Sequence, residues 1–300
     1  MYEDITKNKI KTGFIISAFI ILITLIIYYT CVSLELGSTS IIIALIFSIA
    51  TAWSSYYFSD KIVLKLNGAR EATIEENRKL VNILDGLMVA SGLQYRPKLY
   101  IMDSDQPNAF ATGRNPKHSV ICVTTGLLNM MNYYELEGVV AHELSHIKNY
   151  DILLSTIVSV MVGFIVMLSD WMTRIAFYGG RRKSSDKDSA SGIILLLGLL
   201  GLILGPIFAQ LMQLALSRRR EFLADATSVE FTRNPDGLIS ALQKLDTDST
   251  EFDRANNSTA HMFIVNPFKA NANEEKKTRT NLLSTHPPIS ARIEALRNLK

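Results

Sequence analysis

Cysteine is nearly absent from this chain of 300 residues, with only Cys31 and Cys122 present. Cys31 closes an apolar run and Cys122 sits in a β-like polar stretch, so no disulfide between them is expected. Without any Cys-x-x-Cys, a structural thiolate zinc site is excluded. An excess of one charge is lacking too. The 31 Lys and Arg against 28 Asp and Glu leave a formal +3. The basic residues gather at the flanks of apolar runs, so no nucleic-acid partner is inferred. Most informative are four stretches almost free of charge, at residues 13–30, 39–58, 152–171 and 192–216. Each is long enough to cross a hydrocarbon layer of about 30 Å. Any one of them alone could be a buried helix. Four, in a chain that is 48% hydrophobic, imply an integral membrane protein with about four transmembrane helices.

The first run could be a signal peptide, but no small-residue cleavage site follows and a second run comes at once. It is read as a retained anchor. Lys7, Lys9 and Lys11 precede it, residues 31–40 carry no basic side chain, and Lys61, Lys65 and Arg70 follow the second run. By the positive-inside rule the amino terminus and the polar domain are cytoplasmic. The chain therefore divides into a transmembrane hairpin (1–60), the first half of a polar domain (61–151), a second hydrophobic hairpin with a basic loop (152–216) and the second half of the domain (217–300).

Within the polar halves, hydrophobic periodicity predicts a helix over 71–90, strands over 98–102, 108–112 and 119–124, and a turn at 113–116. Helices are expected over 125–132, 133–148, 221–232, 235–245 and 288–299. The last has an apolar face of Ile289, Ile293, Leu296 and Leu299. The fold class is mainly α with a small β-sheet (α+β). One conflict stands out: the loop at 174–191 carries Arg174, Arg181, Arg182, Lys183 and Lys187. If the third and fourth runs both span, this basic loop lies outside, against the charge rule. Spanning is the reading adopted, and a re-entrant or peripheral hairpin is the alternative.

The chemistry is concentrated in His142-Glu143-Leu144-Ser145-His146. On a helix, residues i and i+4 share a face about 6 Å apart, so two imidazoles can reach one metal ion. Glu143 can reach a water on the same ion. Two surface histidines would be the bland explanation, but Leu136, Val139, Val140, Leu144 and Ile147 seat this helix in a core. His146 precedes the third run by six residues, about 9 Å in a continuing helix. The fourth run ends five residues before Glu221, so the chemistry lies at the membrane surface.

Further along come Glu221-Phe222-Leu223-Ala224-Asp225 and Thr285-His286-Pro287-Pro288, and upstream lies Pro107-Asn108-Ala109-Phe110-Ala111-Thr112-Gly113. With these segments and the paired apolar runs, the chain resembles the HtpX-type integral-membrane zinc metalloproteases, relatives of the CAAX prenyl proteases. The resemblance implies a zincin-like cytoplasmic domain with one Zn2+ per subunit, held by His142, His146 and Glu221, with Glu143 as general base. Two histidines plus a carboxylate also suit a catalytic zinc, which keeps one position open. Asp225, a turn after Glu221, would fix a histidine tautomer. The alternative for both acids is a solvated face paired with Arg218, Arg219 and Arg220. His286 is the candidate oxyanion donor, with Arg218 a weaker one. The plain reading of His286 is a surface histidine capping the final helix. Asn108, Ala109 and Phe110 would bind an extended substrate along an edge strand, unless this is an ordinary sheet strand. His118 and His261 show no partner signal.

The activity so implied is endoproteolysis of misfolded or overproduced membrane proteins near the cytoplasmic surface of a bacterial plasma membrane, in stress-related quality control. Its partners would be membrane-protein substrates and the lipid bilayer, with no nucleic acid. A processing protease for one lipidated or membrane-anchored substrate is the closest alternative. A non-catalytic scaffold is disfavoured because the base and every proposed ligand are present.

Overall fold

In the computed structural model the described residues are 2–33, 39–73, 75, 77–179, 218–252, 258–268 and 287–299. Apolar runs become long helices. Helix α1 (Tyr2–Ser33) packs beside α2 (Ser40–Leu66). Both are long and apolar enough to cross a membrane, over Lys9–Tyr28 and Ile41–Leu66. Phe14, Ile46 and Trp53 are exposed on their outer faces, a costly display in water and the natural surface in lipid.

The sheet has the order β1-β2-β4-β3 and is mixed. Strand β1 (Arg70–Glu71) runs antiparallel to β2 (Lys98–Met102), and β2 runs parallel to β4 (His118–Thr124). Strand β3 (Ala109–Asn115) pairs antiparallel with β4 and forms an edge. Alternation along β4 serves two cores. Ile121 and Val123 face helices α3 (Arg78–Ser91) and α5 (Tyr133–Lys148), and Val120 and Cys122 face Phe110, Phe252 and Phe263.

Short α4 (Thr125–Met130) links the sheet to α5. A capping box starts α5: Asn132 Oδ1 accepts from the Glu135 amide at 3.0 Å, and Glu135 Oε2 accepts from the Asn132 amide at 2.8 Å. Helix α5 does not run on into the third apolar run, as the sequence suggested. It ends at Lys148, and α6 (Asp151–Gly179) leaves at 85°. The corner residue Tyr150 has φ +60°, the left-handed region that non-glycine residues avoid. Helix α6 then packs on α1, joining Ile15, Phe19 and Ile23 to Leu154, Ile157 and Met161. The bent pair α5–α6 would add a third candidate span only if the two helices formed one broken span. The second half of the domain supplies α7 (Arg218–Thr232), α8 (Pro235–Thr247) and α9 (Ile289–Arg297).

The coarse class is therefore mostly helical with a small mixed sheet. Three expectations need correction. The helix expected from residue 71 starts at Arg78, because Arg70 and Glu71 pair with Ile101 and Tyr100 and the Ala72 amide bonds Leu99 O at 2.9 Å. Tertiary pairing overrode local propensity there. The turn expected at 113–116 lies at Pro116-Lys117, since β3 continues to Asn115 through an irregularity after Gly113. Leu299 is exposed rather than part of the apolar face of α9. The fourth apolar run and most of the basic loop, 180–217, lie outside the described residues.

Candidate active site

Helix α5 carries His142 and His146 at i and i+4 on one face, and both point at Glu221 from the first turns of α7. The two Nε2 atoms are 3.2 Å apart. Glu221 Oε2 stands 3.7 Å from His142 Nε2, and Oε1 stands 3.6 Å from His146 Nε2. Donors about 2.0–2.1 Å from one tetrahedral ion are separated by about 3.3 Å. Three donors from two helices at that spacing fit a tetrahedral metal. His142 and Glu221 are buried, where polar atoms need partners, and a shared ion would supply one.

The outer nitrogens are held as a metal site needs. His142 Nδ1 lies 2.9 Å from Asp225 Oδ1, and His146 Nδ1 lies 3.1 Å from Asp151 Oδ2. Each carboxylate can accept a hydrogen bond from Nδ1–H, which turns Nε2 inward. Asp225 behaves as the sequence predicted. Asp151 was missed; its only signal was an acid five residues after His146, at the start of an apolar run where charge is rare. Arg220 Nη1 in turn reaches Asp151 Oδ1 at 3.4 Å.

The larger surprise is Arg292, fully buried on α9. Its Nε donates to Asp225 Oδ2 at 2.8 Å and its Nη2 to Asp225 Oδ1 at 2.7 Å, a two-pronged grip. Nη1 also reaches Ile264 O at 3.3 Å. Sequence reasoning passed over it, although a cation three residues after Ile289, on the apolar side of the last helix, was a visible anomaly.

Electrostatics follow from this chain of contacts. Burial pulls the Asp225 pKa upward, but the Arg292 guanidinium and the His142 hydrogen bond outweigh it and hold the carboxyl below its usual value. For His142, burial and Arg292 favour the neutral ring, while Asp225 and Glu221 prevail and lift its pKa to about 9. Burial raises the Glu143 pKa despite the nearby imidazoles. A carboxylate with raised basicity beside two metal-directed histidines can accept a proton and later return it.

Other expected site residues are placed differently. Asn108 is buried, its Nδ2 donating to Val265 O at 2.8 Å and its Oδ1 accepting from the Ala109 and Val265 amides at 3.1 and 3.3 Å. The Ile264 amide takes Ala109 O at 2.9 Å, and Phe110 packs edge-on against Phe263 with centroids 5.0 Å apart. Through the Asn108 amide, the Ala109 carbonyl and the Phe110 ring these residues bind the 258–268 segment of their own chain, because an edge strand offers its bonds to the nearest backbone. All three are buried. Arg218 is exposed. His286 lies outside the described residues. His261 is buried beside Ser159 and Ser155 on α6, and His118 is exposed and bonded to Asn115.

Comparison with known proteins points to one family. The model of Peptidase family M48 matches residues 75–300. A protease HtpX homolog of Dictyoglomus turgidum is 46% identical over 99% of this chain and 94% of its own length. One from Thermoanaerobacter pseudethanolicus is 43% identical over 100% and 98%, and one from Streptococcus gordonii 42% identical over the full length of both. Among solved structures, that of S. mikatae Ste24p aligns with a TM-score of 0.48 at 18% identity, and this chain spans 64% of that one. The metal-directed donors, the buried base and these full-length likenesses lead to one conclusion: the chain belongs to peptidase family M48, as a membrane metalloprotease.

Proposed function

We propose that the protein is a zinc endopeptidase that cuts membrane proteins at cytoplasmic segments close to the bilayer, in quality control of misfolded or overproduced chains. The observation that carries this reading is the position of the donors. His146 is bonded to Asp151, the first residue of an apolar helix packed on α1. A peptide bond could enter such a site only near the membrane surface. The basic flanks Lys7, Lys9, Lys11, Lys61 and Lys65 favour the cytoplasmic side.

His142, His146 and Glu221 would hold one Zn2+, and two nitrogens with one carboxylate suit that ion. When bound, zinc supplies Lewis acidity that acidifies water and polarises a carbonyl. Glu143 takes the proton from the attacking water and passes it to the leaving amine, and its raised pKa suits both transfers. Asp225 and Asp151 keep the rings turned inward, and Arg292 keeps Asp225 ionised. His286 is the oxyanion donor in this reading. On β3, Gly113 N is taken by Thr156 Oγ1 at 3.1 Å and Ala109 O by Ile264. Alternation therefore leaves the Ala111 backbone as the outward position for an extended substrate, in place of Asn108.

The test is cleavage of several unrelated membrane proteins by the full chain in vesicles, with Glu143→Gln as control. Cleavage of many unfolded substrates at juxtamembrane sites, absent in the control, is expected. A single substrate cut at one site would instead identify a dedicated processing enzyme.

A further inference from the structure

A second feature lies at the membrane boundary, away from the metal donors. A cavity of about 830 Å³ opens between the apolar helices and the polar domain, within the range of small-molecule sites. Four cations line it: Lys9 from α1, Arg114 and Lys117 from the β3–β4 turn, and Lys148 from the end of α5. No carboxylate lines it, and among the described residues none of the four is ion-paired. Arg114 donates to Tyr57 O at 2.8 Å and Lys148 to Ser91 O at 3.1 Å, but four like charges around one cavity still repel, and an anion between them would relieve that repulsion.

The remaining walls describe that anion. Tyr56, Tyr95 and Tyr150 add aromatic faces, and the cations lean on such rings. The Lys9 ammonium is 4.6 Å from the Tyr150 ring centroid, and Lys117 is 5.8 Å from that of Tyr95. Toward the helices the lining turns apolar, with Gly13 and Ile16 from α1 and Leu153 from α6. The candidate span on α1 begins at Lys9 itself, which puts this rim at headgroup depth. Cationic on one side, apolar on the other, ringed by tyrosines: this is the profile of the boundary between a lipid phosphate and its acyl chains.

We propose that the cavity seats an anionic phospholipid, its phosphate among Lys9, Arg114, Lys117 and Lys148 and its chains leaving along Ile16 and Leu153. The bound lipid rests against Tyr150, the strained corner that leads into Asp151 and hence to His146. Cavity and metal site therefore share one joint.

The test uses the full chain in neutral detergent, with thermal unfolding and native mass spectrometry as readouts, neither of which depends on proteolysis. Phosphatidylglycerol should raise the unfolding temperature and remain bound, and phosphatidylcholine should do neither. The preference should vanish in Lys9→Gln/Lys117→Gln, whose ammoniums hold no backbone contact, and persist in Lys61→Gln/Lys65→Gln. If the first pair fails to fold, Lys117→Gln alone should weaken retention of phosphatidylglycerol by several-fold. Equal response of the wild type to both lipids would overturn the proposal, as would an unchanged preference in the Lys9/Lys117 variant. Inorganic phosphate stabilising as well as phosphatidylglycerol would also overturn it, showing a site for soluble anions.

Discussion

Replacing Glu143 by glutamine removes a base and keeps its shape. Metal should stay bound while cleavage falls about 10²- to 10⁴-fold, read by metal analysis beside turnover of a reconstituted substrate. Wild-type turnover would take Glu143 out of the mechanism. Glu221→Ala deletes a donor, so the purified variant should contain little metal; a full complement would place the third ligand elsewhere. Arg292 acts at one remove. Losing it leaves Asp225 charged and buried, a situation that costs about 3–5 kcal/mol. Arg292→Leu should accordingly lower stability to denaturant and weaken metal binding together. At this scale the sequence was readable where spacing carried the chemistry, as for His142, Glu143 and His146. It was not readable for Arg292, whose partner Asp225 is 67 residues away. A charge on an apolar stripe looks like noise until its counter-ion is known. For the same reason the bond from the Asn108 amide to Val265 O, across 157 residues, was not visible in the sequence.

Among the elements, α5 is the one whose position everything else must respect. It lies so close to α8 that a Cβ on Gly138 would come 2.8 Å from Leu238 N, and one on Gly237 would come 2.5 Å from Tyr134 O. These are backbone atoms, which cannot step aside as a side chain can. Gly138→Ala should push the two helices apart and move both histidines relative to Glu221. Metal affinity should fall although no ligand is touched, and titration with a competing chelator would measure it. At its start, α5 is anchored by Glu135, which accepts from Ser240 at 2.6 Å and Lys244 at 2.7 Å besides capping the helix. Burial raises this carboxyl's pKa, but these bonds outweigh it, and the folded value is lowered. The stabilisation is therefore present above the unfolded pKa and is lost as pH falls through the folded one. Glu135→Gln should flatten the acid limb of the stability curve, and unfolding followed from neutral to acid pH would reveal it. The span Tyr133–Lys148 was visible in the sequence through its hydrophobic periodicity. The 85° corner was not. Nothing in Asn149-Tyr150 announces a break, and it is the packing of α6 against β3, α2 and α1 that demands one.

Across the whole molecule, composition alone conveyed a membrane protein with a polar domain, because long charge-free runs have few other uses. How the sheet and helices share two cores was beyond it, since β4 is apolar on both faces and its pattern carries no direction. The metal donors are also distributed in time. His142 and His146 leave the ribosome well before Glu221, which follows His146 by 221 − 146 = 75 residues. At about 5–20 residues per second, the interval is roughly 4–15 s. During it the nascent chain holds the two histidines without the carboxylate that faces them in the fold. Arg292 arrives later still, so the grip on Asp225 that steadies His142 forms only after all three donors have emerged.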